Sequence, residues 1–87
     1  MKIEYREEFI KHYKKRILSN SFLINRFEER LRIFQENPNN LLLKNHLLKG
    51  RKANLRAFSI TGNIRVIYKK IGDTYYFFDI GTHNQVY

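Results

Sequence analysis

Cysteine is absent from this 87-residue chain. Neither a disulfide framework nor a thiolate zinc site can therefore supply stability, and thiol usage says nothing about compartment. Long apolar runs are absent as well. No stretch approaches the length of a membrane span, and the opening "MKIEYREEF" lacks the apolar segment of a secretory signal. The expectation is a cytoplasmic protein with no membrane partner. Repeats and low-complexity linkers are missing, so nothing divides the chain, and its length leaves room for one domain, 1–87, with a modest core. Acidic residues are scarce: eight Asp and Glu stand against seventeen Lys and Arg, a formal charge of +9.

What is present points to a folded, polyanion-binding protein. A hydrophobic fraction of 43% and an aromatic fraction of 15%, with seven Phe and six Tyr, are too high for a disordered basic tail. A field of +9 on so small a surface attracts polyanions. Nucleic acid is the commonest such partner, because phosphate neutralisation and counterion release supply affinity without any reading of sequence. An anionic membrane surface or an acidic protein would satisfy the same charge.

Along the chain, "KIEY" alternates apolar and polar positions and predicts a short first strand with Ile3 and Tyr5 on one face. From Glu7 the period becomes helical. Phe9, Tyr13 and Ile17, with Ile10 beside them, form a stripe, and Lys11, Lys14, Lys15 and Arg16 take the other positions. Asn20 or Ser21 suits the N-cap of a second helix, in which Leu23, Phe27, Leu31 and Phe34 repeat until "ENPNN" stops it. The connector "NNLLLKNHLLKGRKAN" is unusually apolar and basic for a loop and contains His46. Then "LRAFSI", "NIRVIYKK" and "TYYFFDIGT" read as three consecutive antiparallel strands, separated by "TGN" and "IGD" turns. The sum is an α+β domain: an N-terminal strand, a two-helix hairpin, then a three-stranded meander with the helices on one face of the sheet.

Strand alternation assigns side chains to faces. In the last strand Tyr76, Phe78, Ile80 and Thr82 make the better core face, which leaves Tyr75, Phe77, Asp79, Gly81 and His83 on the open one. If the strand continues to the end of "DIGTHNQVY", Asp79, His83 and Tyr87 project from the open face together. Arg65, out of phase with Ile64, Val66 and Tyr68, stands there too.

The two-helix start, the "LKG" connector, the arginine-bearing strand "NIRVIY" and the ending "GTHNQVY" together resemble the RelE/ParE superfamily of toxins of type II toxin–antitoxin systems, over the whole chain. Within it the likeness is nearest to YafQ-like messenger-RNA interferases, whose "DHPLKG"-type and "GTHSDLF"-type segments are similar to "NHLLKG" and "GTHNQVY". The resemblance implies a ribosome-dependent endoribonuclease that cuts messenger RNA, uses no metal or other cofactor, and is silenced by a cognate antitoxin. It also implies site residues: His46 matches the connector histidine, Arg65 the strand arginine, His83 the terminal-motif histidine and Tyr87 the closing aromatic. The departures are specific. YafQ-like proteins usually carry an Asp and a His on the strand matching "LRAFSI" and an Asp in the following turn, where this chain has Ala57, Ser59 and Asn63. An arginine four residues before the terminal-motif histidine is replaced by Asp79.

The chemistry required is coherent with these residues. Metal-free RNA cleavage needs the 2′-hydroxyl deprotonated, the leaving 5′-oxygen protonated and the growing phosphate charge stabilised. Histidine suits the proton transfers, since its unperturbed pKa of about 6.5 lies near working pH, and arginine suits the phosphate. His83 is then the general acid or base and His46 its opposite number. Arg65 clamps the phosphate, Tyr87 stacks on a base or donates its hydroxyl, and Asp79 supports the His83 imidazole. Lys44, Lys49, Arg51, Lys52 and Arg56 form a basic run for RNA or ribosome contact. Charge implies an acidic antitoxin lying across the open face. Two alternatives stand beside this reading: a ParE-like gyrase inhibitor, which needs no histidines, and a degenerate toxin that acts only as a binding module.

Overall fold

The computed structural model describes residues 1–50 and 54–87. Its sheet has five strands: β1 (Lys2–Tyr5), β2 (His46–Leu47), β3 (Arg56–Ser59), β4 (Ile64–Ile71) and β5 (Thr74–Thr82). Their order is β1-β5-β4-β3-β2, with β1 parallel to β5 and every other pair antiparallel. The helices are α1 (Glu7–Arg16), α2 (Ser21–Glu36) and α3 (His83–Val86), and a 3-10 turn spans Leu41–Leu43.

Local chemistry fixes the boundaries of the hairpin. Glu7 and Glu8 open α1 and Lys14, Lys15 and Arg16 close it, which complements the helix dipole at both ends. Asn20 caps α2, its side-chain oxygen accepting from the Leu23 N–H at 3.2 Å. The expected stripes are the ones buried. Phe9, Ile17, Phe27 and Phe34 join Phe58, Tyr68 and Phe77 in one core between the hairpin and the sheet, with Leu23 and Leu31 packed at its margin. Phe34 is fully buried and stacks on Phe58 with ring centroids 4.5 Å apart.

Beyond the tail, which forms α3 where a continuing strand is expected, two features of the sheet differ from the sequence expectation. The connector contains a fourth antiparallel element: His46 pairs with Ala57 and Leu47 with Arg56, so part of the loop becomes the edge strand β2. Leu43 and Leu48 anchor it by burial. The second difference lies in β5, where Tyr75 and Phe77 point at the helices in the first half of the strand and Ile80 does so in the second. The predicted core face of Tyr76, Phe78, Ile80 and Thr82 therefore holds only beyond the bulge, at Ile80 and at Thr82, which pairs with Ile64. The cause is a bulge. Tyr68 pairs with Phe77 and Ile67 with Asp79, so Phe78 has no partner and the alternation inverts there.

Phe34→Ala removes the ring at the centre of this core. It should lower the unfolding free energy by about 3–5 kcal/mol, a loss to be read from the denaturant midpoint at unchanged m-value.

Candidate functional site

The face of the sheet away from the hairpin carries the candidate site. On β4, Arg65 lies between Ser59 of β3 and Gly81 of β5. Because Gly81 has no side chain, the space on that flank of the arginine is taken by Arg16 Nη1 and the Gln85 side chain. After Thr82 the strand turns into α3. Thr82 and Gln85 form a capping box, in which the Gln85 side-chain oxygen accepts from the Thr82 N–H at 2.8 Å. Val86 then packs on Leu48, Ala57 and Ile67, a small second core that holds α3 on this face. Burying such a side chain stabilises by about 1.5–3 kcal/mol.

His83 and Tyr87 thus meet by helical spacing, not by strand alternation, with their rings edge-to-face at 4.3 Å. The Arg65 guanidinium lies 5.7 Å from the Tyr87 ring centre. Its Nη1 is 3.4 Å from Nδ1 of His83. Its Nε is buried without a hydrogen-bond partner. Three of the four expected catalytic residues, Arg65, His83 and Tyr87, are therefore one cluster.

His46 stands apart on β2. Its register with Ala57, itself opposite Ile67, puts it on the same face. From Arg65 it is two strand spacings across and two residues along, roughly 12 Å between backbones. Its Nδ1 bonds to the Lys44 carbonyl at 2.9 Å. A carbonyl only accepts, so Nδ1 carries the hydrogen and Nε2 of the neutral ring is the free acceptor. At His83 the contact runs the other way. Guanidinium only donates, so Nδ1 accepts from Arg65 and the ring hydrogen sits on Nε2. The two imidazoles offer opposite faculties to anything between them: an acceptor at His46 and a donor at His83.

Asp79 is not part of this cluster. The Phe78 bulge and the end of β1 opposite Phe77 leave Asp79 at an uncovered stretch of the β5 edge, beside α1. There its Oδ1 lies 2.6 Å from Nδ1 of His12 and 3.4 Å from Nη1 of Arg16. Arg16 Nη1 also donates to the Ile80 carbonyl at 2.8 Å. The carboxylate expected to support His83 instead ties α1 to β5. Arg56 departs as well. It faces the hairpin side and donates through Nε to the Asn45 side-chain oxygen at 2.9 Å, with Asn45 donating to the Tyr68 hydroxyl at 2.6 Å. A cation engaged there is a brace for the connector, on the opposite face from Arg65. Lys44 and Lys49 are exposed. Arg51 and Lys52 lie outside the described residues.

Sequence reasoning missed His12, Arg16 and Gln85. Periodicity assigned Arg16 to a solvated helix face, although an acid inside an apolar strand calls for a cation from a neighbouring element. Gln85 did leave a signal, since "THNQ" has the S/T-x-x-E/Q spacing of a capping box.

Comparison with known proteins agrees with this architecture. The family model described as "Bacterial toxin of type II toxin-antitoxin system, YafQ" matches residues 1–87. Among solved structures, the chain is similar to a metal-bound toxin from Helicobacter pylori: 21% identity, TM-score 0.81, covering 100% of this chain and 99% of that one. YafQ in the E. coli DinJ-YafQ complex is 22% identical with a TM-score of 0.80, over 98% of this chain and 96% of that one. A YoeB/ParE toxin from Agrobacterium tumefaciens is 20% identical with a TM-score of 0.78, over 95% and 99%. At these identities the likeness is one of fold. Among curated proteins none matches.

Gly81→Ala tests how tightly the site is fitted. A Cβ there would lie 2.7 Å from both Arg16 Nη1 and Gln85 Oε1, and 3.1 Å from the Gln85 Cβ. The substitution should displace α3, shift the His83 and Tyr87 ring resonances in NMR spectra and cost about 1–3 kcal/mol of stability. Unchanged resonances would mean that the glycine is not needed.

Proposed function

The chain belongs to the YafQ family of bacterial toxins of type II toxin–antitoxin systems, and from that premise we propose that it is an endoribonuclease that cuts messenger RNA on the ribosome and is held silent by an acidic antitoxin. The observation that carries this reading is the cluster of Arg65, His83 and Tyr87 on a basic open face, with His46 across from it.

In the proposed reaction the two histidines share the proton transfers. His46 Nε2 takes the proton of the 2′-hydroxyl, and the 2′-oxygen attacks the adjacent phosphorus. Charge develops on the non-bridging oxygens, where the Arg65 guanidinium stabilises it. The bond from phosphorus to the 5′-oxygen breaks as the imidazolium form of His83 delivers a proton from Nε2 to that oxygen and becomes a neutral imidazole, leaving a 2′,3′-cyclic phosphate and a 5′-hydroxyl. Tyr87, its ring held against both His83 and Arg65, offers a face to a base and orients the chain being cut. Lys44 and Lys49, exposed beside His46, add attraction for the backbone.

Purified protein freed of antitoxin should cut messenger RNA on translating ribosomes, with cleavage ends mapped by sequencing. His83→Gln should slow cutting ~10²-fold or more at nearly unchanged ribosome affinity. Arg65→Ala should cost ~10²–10³-fold. Normal cutting by His83→Gln would assign the proton transfers elsewhere, and an inactive wild type that still binds ribosomes would make the protein a binding module.

The same assignment fixes the pH profile. A base must be unprotonated, so the rate climbs with pH on the acid side; an acid must be protonated, so the rate falls on the alkaline side. The wild-type profile should be bell-shaped. His83→Gln should lose the alkaline fall and His46→Gln the acid rise, and the reverse pattern would exchange the two roles.

A further inference from the structure

On the hairpin side, Phe22, Arg26 and Arg30 recur at four-residue spacing and form one stripe along α2, about 12 Å of helix axis. Arg26 and Arg30 of this stripe line a groove of about 260 Å³ whose other walls are the 3-10 turn and the turn joining β3 to β4. Three large apolar side chains stand in the open here: Leu41 is 91% exposed, Phe22 62% and Leu42 56%. They are held there. The Asn40 side chain accepts from the Leu42 N–H at 2.9 Å, the Lys44 N–H bonds to the Leu41 carbonyl at 3.2 Å, and Arg30 Nη1 donates to the Leu42 carbonyl at 2.9 Å. With Leu43 buried beneath them, the two leucines have no inward position to relax into.

The polar part of the groove is cationic. Arg26, Arg30 and Lys44 line it, and no acidic residue does so among the described residues. Arg26 commits its Nε to the Ile60 carbonyl at 3.4 Å. Arg30 Nε is buried without a hydrogen bond, the nearest carboxylate being Glu29 at 3.6 Å. The remaining guanidinium donors are free to take carboxylates from outside.

We propose that this groove is where the antitoxin docks, through a segment that interleaves Asp or Glu with Leu-type side chains; the proposal rests on the toxin–antitoxin reading above. A nucleic acid would use the three cations and leave Leu41 and Leu42 wet. A protein segment of that composition pairs with the cations and covers the leucines together, as an interface core with a charged rim does. The fixed leucines also reduce the ordering cost of association. The groove ends at Ser59, the direct cross-strand neighbour of Arg65 at about 5 Å. A segment leaving the groove at Ser59 therefore arrives at Arg65, so one anchor on the hairpin side places acidic residues over the phosphate clamp.

The test uses the full chain and the antitoxin purified from its co-expressed flanking reading frame. Leu41→Glu combined with Leu42→Ser puts a like charge into the groove and removes apolar surface. Because both side chains are exposed, the free variant should melt at the wild-type temperature. Antitoxin affinity should fall by about 30-fold or more, the loss typical of a central contact, while ribosome co-sedimentation and cutting stay at wild-type levels. Antitoxin affinity within threefold of wild type overturns the proposal. So does loss of ribosome binding with antitoxin affinity intact, which would make the groove an RNA surface. Failure of the parent reading shows separately, in the wild-type arm, as a chain that binds no such antitoxin or cuts no RNA.

Discussion

The site hangs on one slip of register between β4 and β5. Phe77 and Ile80 both belong to the core under the hairpin, yet they are three residues apart, and a regular strand would send one of them to the other face. The unpaired Phe78 resolves the conflict. From that bulge onward every side chain of β5 changes face relative to its first half. Gly81 comes opposite Arg65, Thr82 reaches the position from which it caps α3, and Asp79 lies at the strand edge beside α1. A β-bulge next to a functional site commonly re-aims side chains in this way. Packing of two aromatic-rich layers thus dictates where the arginine and histidine can meet.

Charge follows the same geometry. Among the described residues, Glu8, Asp79 and Glu29 are the carboxylates in ion pairs, and none of them reaches Arg65. Partial burial of an unpaired guanidinium is costly. The Tyr87 ring offsets part of that cost by an interaction of about 0.5–2 kcal/mol. A cation kept free of carboxylates at such expense is available to a polyanion, and with a net charge of +9 the surrounding surface guides one toward it.

Much of this was legible in the sequence because it depends on periodicity. The stripe of Phe9 and Tyr13 with Ile17 beyond, the stop at Pro38, and Arg65 out of phase with Val66 and Tyr68 all follow from spacing within one element. The features that escaped depend on two elements at once. Nothing in "TYYFFDI" marks Phe78 as the extra residue, because every position there is compatible with a core face; the choice is made by Tyr68 and Phe77 packing with Phe34. His46 on β2 escaped as a strand residue because two ladder pairs leave no recognisable period. Arg16 escaped because a helix read alone does not reveal the acid opposite it. The tail was different: its T-x-x-Q spacing was visible and lost to the strand pattern running into it.

Asp79 stands where the resemblance to YafQ-like sequences implies an arginine. An aspartate at that position removes one positive charge and adds a negative one near the open face, which by itself opposes RNA binding. In this fold the carboxylate is turned to the strand edge, where His12 and Arg16 engage it. Arg16 then reaches beyond it to the Ile80 carbonyl, and its Nη1 occupies the space that a side chain at Gly81 would need. A guanidinium thus stands beside Arg65's neighbour on β5, supplied by α1 in place of the strand. The glycine is what admits it, and Asp79 is what holds it there. The Arg16 charge offsets that of Asp79, so the site's electrostatics are coupled directly to the packing of α1 against β5.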